Sequence, residues 1–417
     1  MTRPGKKMII IGLILTVILF FSRCLDSGSR DPRGKAYAGS AACISCHREI
    51  VKSYGHTPHY HSAAVASLST IAGSFSPDSN TFVASDTAKV VMEDRGGIPY
   101  QVLYIRGKEA RAERFDIVFG YTKGQTYLYW KDHQLYQLPI SWFTNLHRWT
   151  SSPGYPEGLP FFGRPVLERC FECHSSYIAP SDPQNVNALS STSMIAPIDC
   201  ERCHGPAANH VAYHTEFPAD KHARYIVSYR SLPRERKIDL CATCHSGSNN
   251  IPLRSLFGFR PGDSLGHFAV SAHVGTHAPD VHGDQVALLA ASRCFKESNM
   301  DCSTCHDPHV ADHHDYTAYA RRCQGCYSPD NHNFCKIAND QNLAFVERNC
   351  TRCHMPAQAS GIIHVNTGEA ARDTAVFMVN HLIAVYPQVS QQILSQLRIQ
   401  HGPGRDRPVV AGVHAIH

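Results

Sequence analysis

The chain has 417 residues, 43% of them hydrophobic, with 28 Gly, 25 Pro, 17 Cys and 27 His. That length admits two or three ordinary domains, but the modest apolar share and the Pro and Gly content argue against one large aliphatic core. The formal charge is +5 and no run of basic residues concentrates it, which excludes a nucleic-acid patch and leaves Lys and Arg as partners of acidic groups and as solvated surface.

Lys6-Lys7 precede an apolar run from Met8 to Phe21, too short for a comfortable transmembrane span and suited to an export signal. Cys24 follows it directly. Its position suggests a lipid-anchored N-terminus, although Arg23 stands where such signals carry a small residue; a retained signal anchor and simple secretion are the alternatives. The expected division is 1–24 export signal or lipid anchor, 25–36 tether, 37–385 main domain and 386–417 C-terminal helix and loose tail.

Within the main domain, Arg48 to Ser69 is expected to be helical after a turn near Pro58. Residues 80–143 contain no Cys and alternate in polarity in stretches such as Tyr100-Gln101-Val102-Leu103-Tyr104-Ile105. They predict a small antiparallel sheet packed beside the first motif described below, with Lys131-Asp132-His133 as a hairpin turn. Further on, a short helix is expected around Asp284 to Ser292, and the tail from Asp373 to Gln400 should be helical with a break at Pro387. The expected fold class is therefore mainly α with much irregular loop and a small antiparallel β insert near residues 80–143.

Six copies of Cys-x-x-Cys-His run through this frame: Cys43/Cys46/His47, Cys170/Cys173/His174, Cys200/Cys203/His204, Cys241/Cys244/His245, Cys302/Cys305/His306 and Cys350/Cys353/His354. Chance placement of these residue types would give only about 0.04 copies, so the repetition is chemical in origin. Two thiols at this spacing can add to the two vinyl groups on one haem edge, and the imidazole that follows then lies under the iron. Structural zinc uses Cys-x-x-Cys pairs too, but has no need for a histidine directly after every one. Such attachment takes place outside the cytoplasm, in agreement with the N-terminus. Each ferric haem with its two propionates contributes about −1, so six would bring the total charge to about −1.

Removing the six proximal ligands leaves 21 of the 27 His, against only seven Met, so general His/Met ligation is excluded and low-potential bis-His haems follow. His309 lies three residues beyond His306 and His210 six beyond His204. Three extended residues reach only about 10 Å, too little to pass round a porphyrin, so each must serve a different haem. Among His56, His59 and His61, His59 is the preferred ligand and His56 the next. His381 is a further candidate. His133, His147, His267, His273, His277, His282 and His364 are not distinguished from one another, though at least one is expected to ligate.

Cys323-Gln324-Gly325-Cys326-Tyr327 has the thiols but Tyr in place of His. Three readings compete: a former seventh site closed as a disulfide, a haem with an unusual proximal group, or another metal. A haem lacking its His would have an open or weak axial position, where substrate chemistry could occur. Cys294 and Cys335 lie outside every motif and are predicted to form a disulfide.

Several stretches resemble the cytochrome c-554-like group of multihaem c-type cytochromes: Tyr37-Ala-Gly-Ser-Ala-Ala-Cys-Ile-Ser-Cys-His47 with Gly55-His56-Thr57-Pro58-His59, Cys200-Glu-Arg-Cys-His-Gly205-Pro206 with His210, Cys302-Ser-Thr-Cys-His-Asp307-Pro308-His309, and Cys350-Thr-Arg-Cys-His-Met355-Pro356. The segment Gln125 to Phe143 resembles the strand-rich insert of these proteins. The resemblance implies distal-ligand roles for His59, His210, His309 and His381, and a ligand role for His332 in Asp330-Asn-His332-Asn-Phe-Cys335. It covers electron carriers and also relatives that oxidise or reduce small nitrogen compounds. The leading expectation is an electron carrier of the cell envelope with six or seven haems and redox partner proteins, needing no catalytic side chains. The alternatives are an oxidoreductase acting on a small species such as nitrite or hydroxylamine, with Tyr327 marking the one visible site, and a module of a larger envelope complex docked through its sheet.

Overall fold

The computed structural model describes residues 31–400 except 157, 159, 248–249, 271–277, 312–314, 329–332 and 369–372. Cys24, the export signal and His332 therefore lie outside the described residues. Among the described residues no helix is long and apolar enough to cross a membrane.

Seventeen strands pair antiparallel in five sheets among the described residues. A seven-stranded sheet joins β1 (Ala63–Val65), β6 (Ile117–Phe119), β7 (Gly124–Lys131), β8 (Gln134–Gln137) and β11 (Arg164–Pro165) in that order, with β9 (Ile140–Phe143) pairing β7 and β10 (Arg148–Ser151) pairing β9. A four-stranded meander, β2 (Thr81–Ser85), β3 (Ala88–Asp94), β4 (Pro99–Ile105) and β5 (Lys108–Arg114), leads into it. Three two-stranded sheets complete the set: β12 (Tyr177–Pro180) with β13 (Leu189–Ile195), β14 (Ile251–Pro252) with β15 (Ala269–Val270), and β16 (Ala357–Asn366) with β17 (Asp373–Val379).

The alternation of β7 explains why both its faces are covered. Tyr127 and Tyr129 enter one cluster with Phe115, Met92, Trp142 and Trp149, while Leu128 enters another with Ile117, Phe119, Leu135 and Ile178. Between β7 and β8 the chain reverses at Asp132 (φ 50°) and His133 (φ 64°). Two successive left-handed residues match the right-handed twist of a tight hairpin.

A mainly α architecture is thereby overturned, and the β region is not a small insert: it runs from β1 to β13. The helices stay short, the longest being Arg234–His245 with 12 residues and Pro387–Gln400 with 14. Four of them, Glu168–His174, Cys200–His204, Arg234–His245 and Cys350–His354, end on the histidine of a Cys-x-x-Cys-His motif. In these four the helix stops at the motif histidine, so the motifs do not start long helices. Two other expectations change for related reasons. Helix after His47 covers only Arg48–Tyr54, and the β-branched and aromatic run Thr374-Ala-Val-Phe377 forms β17, so the tail helix begins at Pro387 instead of breaking there. The short helix expected near residue 284 is present as Gln285–Ala291.

The large sheet seats the second motif. Phe171, between Cys170 and Cys173, is fully buried in the cluster of Leu128 and Ile178 and meets the Phe119 ring edge-on at 4.9 Å. Replacing Phe171 by Ala removes a buried aromatic at a site closed on all sides; the expected cost is about 3–5 kcal/mol, read as a lower midpoint in urea unfolding at unchanged m.

Candidate functional site

The motifs are held by the residues between and before their cysteines. Asp199 caps the helix Cys200–His204, its side chain accepting from Arg202 N at 2.9 Å, and it also accepts from Ser176 Oγ at 3.0 Å. Glu201, 3% exposed, accepts from the backbone N–H groups of Ala38, Gly39 and Ala207 at 2.9, 2.9 and 2.8 Å. Arg33 donates into this knot, reaching Asp31 at 2.9 Å, Asp199 at 2.6 Å and Glu201 at 3.1 Å. Residues 31–36, expected to end a tether, are here packed against the third motif and bring the first motif to it. Arg202 closes the next joint, donating to the carbonyls of Glu172 at 2.9 Å and Leu256 at 2.7 Å. Asp301 caps the turn Cys302–Thr304 in the same way as Asp199, within a capping box.

Thiols of different motifs meet in pairs. Cys43 lies close enough to Cys200 for the two thiols to perturb each other's ionisation, as do Cys173 and Cys244, Cys241 and Cys302, and Cys323 and Cys350. In every pair the two cysteines hold the same place in their motifs, first with first or second with second. Cys46, Cys170, Cys203, Cys305, Cys326 and Cys353 are the remaining motif thiols, and all are free. Cys294 and Cys335 are free as well, so the predicted disulfide is absent. The charge of Cys326 is felt by Cys294, whereas that of Cys335 is felt by Cys353; the two cysteines belong to different neighbourhoods.

The imidazoles are also arranged in twos. His47 stands 6.4 Å from His210 with rings 16° apart, His204 6.0 Å from His309 at 20°, His306 6.3 Å from His381 at 33°, and His245 6.2 Å from His59 at 81°. Each pair joins the histidine that ends one motif to a histidine carried elsewhere. His56 has no such ring partner among the described residues; its backbone N–H donates to Ser53 O at 3.1 Å. His61 stacks on Tyr121 at 4.3 Å. His174 lies parallel to Phe119 at 4.6 Å, and its backbone carbonyl accepts from Ser62 Oγ at 2.9 Å.

One nitrogen of most of these rings is already committed. Nδ1–H donates to Val227 O from His204 (3.1 Å), to Arg224 O from His210 (2.7 Å), to Ala384 O from His354 (2.8 Å), to Val379 O from His381 (3.3 Å) and to Asp307 Oδ1 from His309 (3.1 Å). That pattern fixes the tautomer and leaves Nε2 with its lone pair. Burial pushes the His174 and His381 imidazoles down to about 4, and the charge of His306 adds to the effect at His381. Both are neutral rings at physiological pH, as a metal ligand must be.

The fit to a haem follows from these spacings. Two metal–nitrogen bonds of about 2 Å, with about 1.1 Å from each nitrogen to its ring centre, would set two imidazoles about 6.2 Å apart. Among the described residues no group of three His, Cys, Asp or Glu converges as a bare metal ion would require. A porphyrin iron brings four ligands of its own and needs only two more, which is what facing pairs offer. The altered motif keeps the backbone of the intact ones: Tyr327 N donates to Cys323 O at 3.0 Å as His306 N donates to Cys302 O at 3.0 Å. Its tyrosine side chain is 52% exposed.

A family model described as cytochrome c554 and c-prime matches residues 163–205, the stretch that holds the second and third motifs. No curated protein and no solved structure matches the chain. The matched region is of c-type cytochrome kind, which implies haem c and a haem-based electron-transfer or redox role.

Sequence reasoning missed the Arg33–Asp31–Asp199–Glu201 knot, although an Asp directly before the first cysteine of the third and fifth motifs is a visible capping signal. Burial opposes the charged form of Asp31, but hydrogen bonds from Arg33 outweigh it and hold the carboxyl below its usual range. Arg33→Met leaves three carboxylates without their cation; a loss of about 3–5 kcal/mol is expected in denaturant unfolding. Arg95→Met, which breaks the solvent-facing pairs with Glu93 and Glu109, should change stability by less than about 1 kcal/mol.

Proposed function

We propose that this chain is an electron-transfer protein of the cell envelope that carries six covalent c-type haems, exported and held at the membrane through its N-terminus, and that it passes electrons between redox partner proteins. The observation that carries the reading is the set of four imidazole pairs at 6.0–6.4 Å, each linking separate stretches of chain. When bound, haem supplies a one-electron couple at each iron, with bis-His ligation favouring low potentials.

The chain's own residues do the rest. The cysteines of the six intact motifs anchor one edge of each porphyrin, and His47, His174, His204, His245, His306 and His354 supply the proximal nitrogen. His210, His309, His59 and His381 close the opposite side at the first, third, fourth and fifth motifs. Because His210 follows the third motif and His309 the fifth, each porphyrin is tied to its neighbour's peptide. The thiol pairs tie the same partners or add new ones: first to third, second to fourth, fourth to fifth. Cys323 pairs with Cys350 and feels the charge of Cys305, so the altered motif lies between the fifth and sixth sites. The loop of His381 joins the same two, since Ala384 O accepts from His354.

Intact mass of protein matured in an envelope-targeted host tests the count: six haems are expected, while seven would assign a haem to Cys323 and Cys326. Colourless protein, or zinc in place of iron, ends the reading. A spectral change on adding nitrite or hydroxylamine would favour the oxidoreductase alternative. His210→Met should raise the potential of one haem by on the order of 0.1 V in a redox titration, leaving the others close to their original values.

A further inference from the structure

Four of the six motif histidines face a second imidazole, and the partner of His174 is not among the residues that the sequence pattern singles out. We propose that His282 supplies the second axial ligand to the iron anchored at Cys170 and Cys173, closing that site to outside ligands. This assignment rests on the haem reading above.

His282 lies in the loop 280–284, which contains no haem motif, and its Nδ1 is buried without a hydrogen-bond partner. A buried imidazole nitrogen without a partner is unfavourable, and a metal in front of it would take its lone pair. His204, His210, His309, His354 and His381 each spend Nδ1 on a carbonyl or carboxylate; the Nδ1 of His282 is unspent in the interior. The fourth motif, beside which the loop lies, is itself packed on the second: Cys173 Sγ lies 3.8 Å from Thr243 O and Cys244 Sγ 3.7 Å from Glu172 O.

The surrounding loop is built to hold one side chain still. Asp280 N donates to Asp284 Oδ2 at 2.8 Å, and Asp284 N donates back to Asp280 O at 3.3 Å. Asp280 further accepts from Ser360 Oγ at 2.8 Å and from Gly361 N at 2.6 Å, pinning the loop to β16. His282 N is itself held by Asp280 Oδ1 at 2.8 Å. On the other side, Gly247 presses on the loop so closely that a Cβ there would fall 1.7 Å from Asp284 Oδ1. Gly247 is two residues past His245, the end of the helix whose Cys244 meets Cys173 of the second motif. The loop is thereby clamped beside the second and fourth motifs by contacts that leave the imidazole itself free.

The test compares the full-length holoprotein with His282→Ala and His282→Met by electron paramagnetic resonance and by carbon monoxide binding after reduction. His282→Ala should gain about one high-spin haem and about one carbon monoxide site per molecule relative to the parent. Added imidazole should return it to the parent spectrum. His282→Met should remain low-spin while one haem titrates at a higher potential. Spin populations and carbon monoxide binding identical to the parent in both variants would overturn the assignment while leaving the haem reading intact, provided that intact mass shows the same haem count in all three proteins. A parent without haem would overturn both.

Discussion

On the haem reading, two imidazoles can share one iron only when their ring centres stand about 6.2 Å apart, and four pairs of histidine rings in this structure stand at 6.0–6.4 Å. A local peptide cannot supply both rings, because the chain between them is too short to travel round the macrocycle. The second ring has to be imported. Here His210 is brought to His47, His309 to His204, His59 to His245 and His381 to His306. Each of these pairs joins distant stretches of sequence, so the facing arrangement is a product of tertiary folding.

The sheets and the buried ions make that import possible. An irregular chain of one-turn helices has little surface of its own to pack, and the β1–β11 framework provides it. Phe171 plants the second motif in the sheet. Arg202, from within the third motif, grips the second through the Glu172 carbonyl and the loop at Leu256. Asp199 and Glu201, with Arg33 between them, hold the N-terminal segment against the third. The residues between the paired cysteines, which the attachment chemistry leaves unspecified, therefore carry the contacts that set one motif against another. Their burial explains why these particular charges are matched: each carboxylate of the knot takes backbone N–H donors or Arg33, or both, as a buried ion must.

Several features were open to reading in advance because they are local. The pentapeptide repeats, the likeness of Gln125 to Phe143 to a strand-rich segment and the turn at Asp132-His133 all depend on neighbours within a few positions. The arithmetic of reach that made His210 and His309 serve other sites than their own is likewise a property of short chain segments. Helix was overestimated after the first motif, where Arg48 to Ser69 was read as helical but the helix ends at Tyr54. The β17 segment was taken for helix because its partner, β16, is invisible until the two are paired. A disulfide between Cys294 and Cys335 was inferred by counting leftovers, and counting carries no information about distance.

What the order of residues decides alone is the chemistry: which thiols can be alkylated, which imidazole follows each pair, and that too few methionines exist to serve as general ligands. Which imidazole faces which, and where a loop without a motif can present His282, is decided by packing. The physical reason is range. Covalent attachment and hairpin geometry act over a handful of bonds, whereas a facing pair depends on where two rigid stretches come to rest after burying Phe171, pairing β7 with its neighbours and neutralising Arg33, none of which is encoded within reach of either ring.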